Sequence, residues 1–136
     1  MCLLDRVEHW GETFIQCCAT SHRKRDNPLR TDNRLAAACG IEYAAQAMAI
    51  HGALLAPQGK PPGRGYLTSV RSVDLHVARI DNLEAELKIG VERLSGDENN
   101  VLYSFNVSAA GQPLLSGRAS VVLNAAARSP IFRNPD

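Results

Sequence analysis

Apolar and polar positions alternate along most of this chain, and one long apolar stretch interrupts the alternation. Met1–Trp10 and Glu12–Thr20 (ETFIQCCAT) read as two strands joined by a tight turn at Gly11. Ser21–Asn33, SHRKRDNPLRTDN, reads as a polar loop whose last residues, Thr31, Asp32 and Asn33, are each able to cap a helix. Arg34–Leu55, RLAAACGIEYAAQAMAIHGALL, is apolar on every side, which predicts a helix buried all round. Ala56–Gly65, APQGKPPGRG, holds too much Pro and Gly for regular structure. Four more strands are expected at Tyr66–Ala78, Leu83–Leu94, Val101–Ala109 and Gln112–Asn124. Arg79–Asn82, Ser95–Asn100 and Ala110–Gly111 supply the turns between them. One domain is expected over residues 1–124, with a loosely held tail at 125–136.

Two strands, one helix and then four strands make an α+β chain with an antiparallel sheet. A single sheet covers an all-round apolar helix only by curling about it, and the Ala-rich surface lets the sheet come close. The side left open is most simply closed by a second copy of the chain, so a homodimer is expected.

Bulk properties narrow the function classes. A length of 136 residues suits one domain, and 45% hydrophobic with 21% charged residues is ordinary globular material. A net charge of +1 gives no global field for nucleic acid or an anionic membrane. No secretion signal opens the chain, so a cytoplasmic location is expected. The apolar run approaches the length of a membrane span, but it is mainly Ala and carries Glu42, Gln46 and His51, so burial in protein is the better reading. Cys2, Cys17, Cys18 and Cys39 form no CxxC pair and no zinc spacing, which predicts reduced thiols and no metal or cofactor. Cys17 and Cys18, neighbours on a strand, should point to opposite faces.

Candidate chemistry centres on the helix. A carboxylate among apolar residues is costly to bury without a partner, so Glu42 is the leading functional candidate. Gln46, one turn on, is placed to orient it. His22 reads as a solvated loop residue beside Arg23, Lys24 and Arg25. His51 falls near the helix face opposite Glu42 and is expected to pack or hydrogen-bond there, while His9 and His76 read as structural residues on strands.

Three stretches carry a family resemblance. CLLDRV at Cys2–Val7 resembles the "fLLvDRV" opening strand of the 3-hydroxyacyl-ACP dehydratases. GIEYAAQAMA at Gly40–Ala49 resembles their "iEamAQ" helix, and RGYLTSVRSVDLHV at Arg64–Val77 resembles the "iGfLlgtR" strand of the predicted dehydratases of aryl polyene synthesis. The resemblance runs over roughly residues 2–123 and implies a hot-dog fold, a homodimer and an acyl thioester substrate on acyl carrier protein or CoA. It implies elimination of water from a 3-hydroxyacyl thioester to give the trans-2-enoyl thioester, with Glu42 as the acid. It further implies substrate contacts at Gly40, Gln46, Gly65, Tyr66 and Leu67.

The fatty acid dehydratases place a histidine 14 residues before that carboxylate; here the position is Pro28, and DNRLAAACGIE at Asp32–Glu42 resembles the subgroup that lacks the motif. Because histidine and carboxylate of one site come from different subunits in those enzymes, His22 becomes the candidate base in trans. Burial would favour the protonated form of Glu42, and N–H groups around Ala37–Gly40 at the helix start would steady the thioester oxygen. Arg23, Lys24, Arg25 and Arg71 are the candidate docking residues for an acidic carrier protein. The segment that precedes the first strand in the family is missing, which reads as a shortened N-terminus. A thioesterase using a helix Glu, or a non-catalytic hot-dog partner subunit, are the competing functions.

Overall fold

The structure, a computed structural model, describes residues 2–56, 65–97 and 99–123, so the expected C-terminal tail lies outside it. The strands are β1 (Arg6–Trp10), β2 (Phe14–Ala19), β3 (Gly65–Leu75), β4 (Leu87–Gly96), β5 (Asn100–Ala109) and β6 (Gln112–Leu123). One helix, α1 (Gly40–Leu55), stands between β2 and β3 in the chain. The strands form a single six-stranded antiparallel sheet in the order β1-β2-β4-β5-β6-β3. The α+β order expected from the alternation is the one observed. No helix among the described residues is long and apolar enough to cross a membrane.

Period-two burial builds the core. Leu87, Ile89 and Val91 of β4, and Val101, Tyr103, Phe105, Val107 and Ala109 of β5, all point inward. Ala110 (φ 51°) and Gly111 (φ 78°) both take the left-handed conformation that a two-residue hairpin loop requires, joining β5 to β6. Cys17 pairs with Ile89 and enters the core, whereas Cys18 pairs with Lys88 on the outer face, so the two thiols do face opposite ways.

The helix departs from expectation in two respects. It starts at Gly40, not Arg34, because the residues before it are claimed by tertiary hydrogen bonds. Thr31 and Arg34 close a tight turn with Asp32 (φ 53°) and Asn33 (φ 62°) at its tip, so none of Thr31, Asp32 and Asn33 caps α1. Ile80 N–H then bonds Leu35 O at 2.9 Å and Ala37 N–H bonds Ala78 O at 3.0 Å, holding this stretch extended until a single 3-10 turn at Ala37–Cys39 leads into α1. Nor is the helix buried all round. Gly40, Tyr43, Ala44, Ala47, Met48 and His51 form the buried stripe, while Glu42, Ala49 and Ala53 are exposed on the other side. A sheet that does not close around the helix covers only one face of it.

Gly40 is fixed by packing. A Cβ added there would sit 2.6 Å from Leu115 Cδ2, so a side chain would push the helix start off β6.

The stretch expected to be a polar, exposed loop is partly core. Ser21, His22 and Asn27 are buried. Ser21 Oγ donates to Leu3 O and accepts from Tyr43 Oη, both at 2.8 Å. Asn27 Nδ2 bonds Ser21 O at 2.9 Å and Tyr43 Oη at 3.1 Å, while Asn27 Oδ1 accepts from Leu29 N–H at 2.9 Å. Hydrogen bonds to Tyr43 and to backbone groups are what let Ser21 and Asn27 be buried. Tyr43→Phe removes the hub of this network and leaves Ser21 and Asn27 short of a partner. The expected loss is about 1–3 kcal/mol in urea unfolding at neutral pH; an unchanged midpoint and slope would contradict the role given to the hydroxyl.

Candidate functional site

Glu42 lies in the first turn of α1 on the uncovered face and is exposed. The expectation that this chain buries it is corrected: Glu42 is exposed on the helix side away from the sheet, and nothing among the described residues buries it. Gln46 follows on the same side but is engaged elsewhere, because its Oε1 accepts the Leu3 N–H at 2.7 Å and ties the segment before β1 to the helix.

The donors expected at the helix start are largely in use. Ala37 N–H goes to Ala78 O and Cys39 N–H to Ala36 O, each at 3.0 Å, and Gly40 N–H turns back to Ala37 O. Gly40 is itself buried against Leu115, so its part in the site is to bring the helix close to the sheet.

His22 is not a solvated loop residue. It is 0% exposed, in a 3-10 turn that directly follows β2. Its Nε2 donates to Leu83 O at 3.0 Å, since a carbonyl only accepts, and Nδ1 is buried with no hydrogen-bond partner among the described residues. Burial lowers its pKa below the ordinary histidine value; the Leu83 and Ala85 backbone opposes this, and the charges of Arg23 and Arg30 reinforce it.

His51 is fully buried as expected, with Nε2 donating to Gly11 O at 2.8 Å and Nδ1 accepting from Tyr103 Oη at 3.1 Å. It pins the β1–β2 turn to the C-terminal half of α1. His9 is exposed on β1, and His76 is exposed just beyond the end of β3.

A clasp that sequence reasoning missed holds the approach to the helix. Asp81 Oδ1 accepts from Leu35 N–H at 2.9 Å and Arg79 Nε at 3.0 Å, and Asp81 Oδ2 pairs with Arg79 Nη2. Hydrogen bonding from Arg79 and Leu35 holds the Asp81 carboxyl well below the usual carboxylate range. Arg30, 3.9 Å from the same carboxylate, also caps the Lys24, His22 and Asn33 carbonyls. In the sequence Asp81 is one more turn residue, and nothing local marks it.

Arg23, Lys24 and Arg25 are exposed beside the end of β2, but Arg71 is exposed on β3, with three strands (β4, β5 and β6) between the two. The fold therefore divides the expected docking set between two ends of the sheet. Gly65 opens β3 and Leu67 is 40% exposed on it; the side chain of Tyr66 lies outside the described ones.

Two hollows are notable, the first beside the helix start and the second by the β5–β6 turn. One of about 560 Å³ is lined by Leu29, Thr31, Arg34, Ala36, Cys39 and Arg79. The other, of about 630 Å³ and more apolar, lies among Leu83, Ala85, Ala109, Pro113 and Leu114. Both fall in the size range of small-molecule sites, and Glu42 lines neither. On the outer face, Cys18, Glu8 and Glu86 bring ligand-type atoms within 4.8 Å of one another. Lys88 Nζ already bridges Glu8 at 2.8 Å and Glu86 at 3.0 Å, so the protein's own cation balances this cluster.

A family profile described as ApeP-like, ApeP dehydratase, matches residues 1–130. Among solved structures, the dehydratase heterocomplex ApeI:P from Xenorhabdus doucetiae is 23% identical, with a TM-score of 0.78 over 92% of this chain and 84% of that one. A variant of thioesterase PA1618 from Pseudomonas aeruginosa is 9% identical, with a TM-score of 0.64 over 88% of this chain and 80% of that one. A hot-dog-like protein from Thermanaerovibrio acidaminovorans is 14% identical, with a TM-score of 0.64 over 85% of this chain and 83% of that one. No curated protein sequence matches the chain. At these identities the likeness shows the fold, and the fold is the hot-dog.

His22 gives the site a measurable pH dependence. Its folded-state pKa lies below the unfolded value of about 6.5, so the unfolded chain binds the proton first. The stability it contributes is complete above about pH 6.5 and falls with pH until the folded ring is itself protonated. Comparing urea unfolding at about pH 7.5 and 5, His22→Gln should lose less stability on acidification than the parent chain. Equal losses would remove His22 as the source.

Proposed function

The chain belongs to the ApeP-like dehydratase family, and from that premise we propose that it is one subunit of a dehydratase acting on 3-hydroxyacyl thioesters of acyl carrier protein. The reaction removes a C2 proton and protonates the departing C3 hydroxyl, which leaves as water and yields the trans-2-enoyl thioester. Glu42 is the group that protonates the hydroxyl.

The observation that carries this reading is the position of Glu42 on the one face of α1 that the chain's own sheet leaves uncovered. A second hot-dog subunit seated there would exclude water from the carboxyl and create a closed site between the two chains. The base comes from that second subunit. His22 is fully buried within its own chain, and assembly only buries a residue further, so its role here is structural. The heterocomplex named for the Xenorhabdus structure supports a related dehydratase chain as the second subunit, in place of the homodimer expected from the helix alone.

The test is reconstitution with a 3-hydroxyacyl carrier-protein thioester, following enoyl formation and free thiol release together. The chain alone should be silent, and the chain mixed with its companion dehydratase should form the enoyl product. Glu42→Gln in the mixture should lower turnover by about 100-fold or more, the scale of a lost general acid. Full activity with Glu42→Gln would leave this chain as a non-catalytic partner, and thiol release in place of enoyl product would make it a thioesterase.

A further inference from the structure

The outer face of the sheet carries a juxtaposition that the proposed dehydratase site does not use. Arg71 on edge strand β3 stands directly opposite Arg118 on β6. Side chains so paired have Cβ atoms about 4.5–5.5 Å apart, and like charges in that register destabilise a sheet. Both arginines are exposed, and neither takes part in an ion pair among the described residues. The nearest acids by register are Asp74, opposite Ser116, and Glu92, opposite Ser104 on the strand beyond Arg118.

The backbone is irregular directly beside the pair. β3 bulges between Arg71 and Asp74, and Ser72 takes φ 54°, a left-handed conformation that is uncommon for a non-glycine residue. Across from the bulge stands Gly117, where a Cβ would sit 2.8 Å from the Phe105 ring and 3.2 Å from Arg71 O. The result is a hollow of about 270 Å³ lined by Arg71, Arg118, Ser69, Ser72, Ser120 and Leu102. Two arginines and three serines, drawn from β3 and β6, thus line one hollow.

We propose that Arg71 and Arg118 form a binding site for a phosphate-class oxyanion on the outer face of the sheet, with Ser69, Ser72 and Ser120 as supporting donors. A tetrahedral dianion matches the donor set: each guanidinium offers parallel N–H groups to two oxygens, and hydroxyls serve the remainder. The bound anion also removes the repulsion that the register imposes. The site lies on the sheet face opposite the helix, so it is independent of Glu42 and of the dehydratase reading.

The test uses the full-length chain with isotope-labelled arginine, observing the Arg Nε–H resonances by NMR. Inorganic phosphate is the first probe, with potassium chloride at matched ionic strength as reference. Phosphopantetheine and adenosine 3′,5′-bisphosphate are added separately, to distinguish a carrier-arm phosphate from a nucleotide phosphate. The expected result is saturable movement of the Arg71 and Arg118 signals with phosphate but not with chloride. Arg118→Gln and Arg71→Gln, both exposed changes, should each weaken binding by about tenfold or more. Arg71→Lys, which keeps the charge but loses the fork, should fall between them and the parent. Equal shifts with chloride, or phosphate binding that survives both glutamine variants, would overturn the assignment.

Discussion

The structure depends on how closely α1 can rest on its sheet. The stripe that touches the sheet includes Gly40, Ala44 and Ala47, and at Gly40 even one added carbon would collide with Leu115. Small residues let the helix axis approach the strands, and Tyr43, Met48 and His51 then fill the ends of the contact. Because that stripe is one face wide, the opposite face is left outside the sheet. Glu42 is on it for the same geometric reason that Tyr43, its neighbour, is in the core.

Buried polar groups fix this arrangement at both ends of the helix. Tyr43, Ser21 and Asn27 join the helix start to the segment after β2, and His51 joins its C-terminal half to Gly11 and Tyr103. The Asp81 clasp sets where the chain enters the helix. Groups of this kind contribute only modestly when satisfied, but removing one partner exposes the others to the full cost of burial. They therefore select one docking of helix on sheet over its near neighbours. His22, which the family resemblance made a candidate base in trans, is buried against Leu83 O in the same scaffold, and the proposed chemistry takes its base from the second subunit's own residues.

Period-two alternation was enough to find the six strands of the described residues in order, and the Ala-rich run was enough to find the α-helix between the second and third. The opposite facing of Cys17 and Cys18 followed from the same period. The late helix start was not legible, because Arg34–Cys39 has ordinary helix propensity and loses it to backbone partners at Ala78 and Ile80, about forty residues on. The loop SHRKRDNPLRTDN looked solvated because its composition is polar; its buried members are buried by partners that only the fold brings near.

The chain by itself determined the type and order of its elements, since local periodicity is a property of neighbouring residues. It also marked Glu42, because a carboxylate among alanines stands out wherever the helix is placed. Tertiary structure alone decided that Glu42 faces outward, that His22 is sealed inside, and that Arg71 meets Arg118 instead of the loop arginines. Each of these is set by register and by helix rotation against the sheet, quantities that depend on residues far apart in the chain.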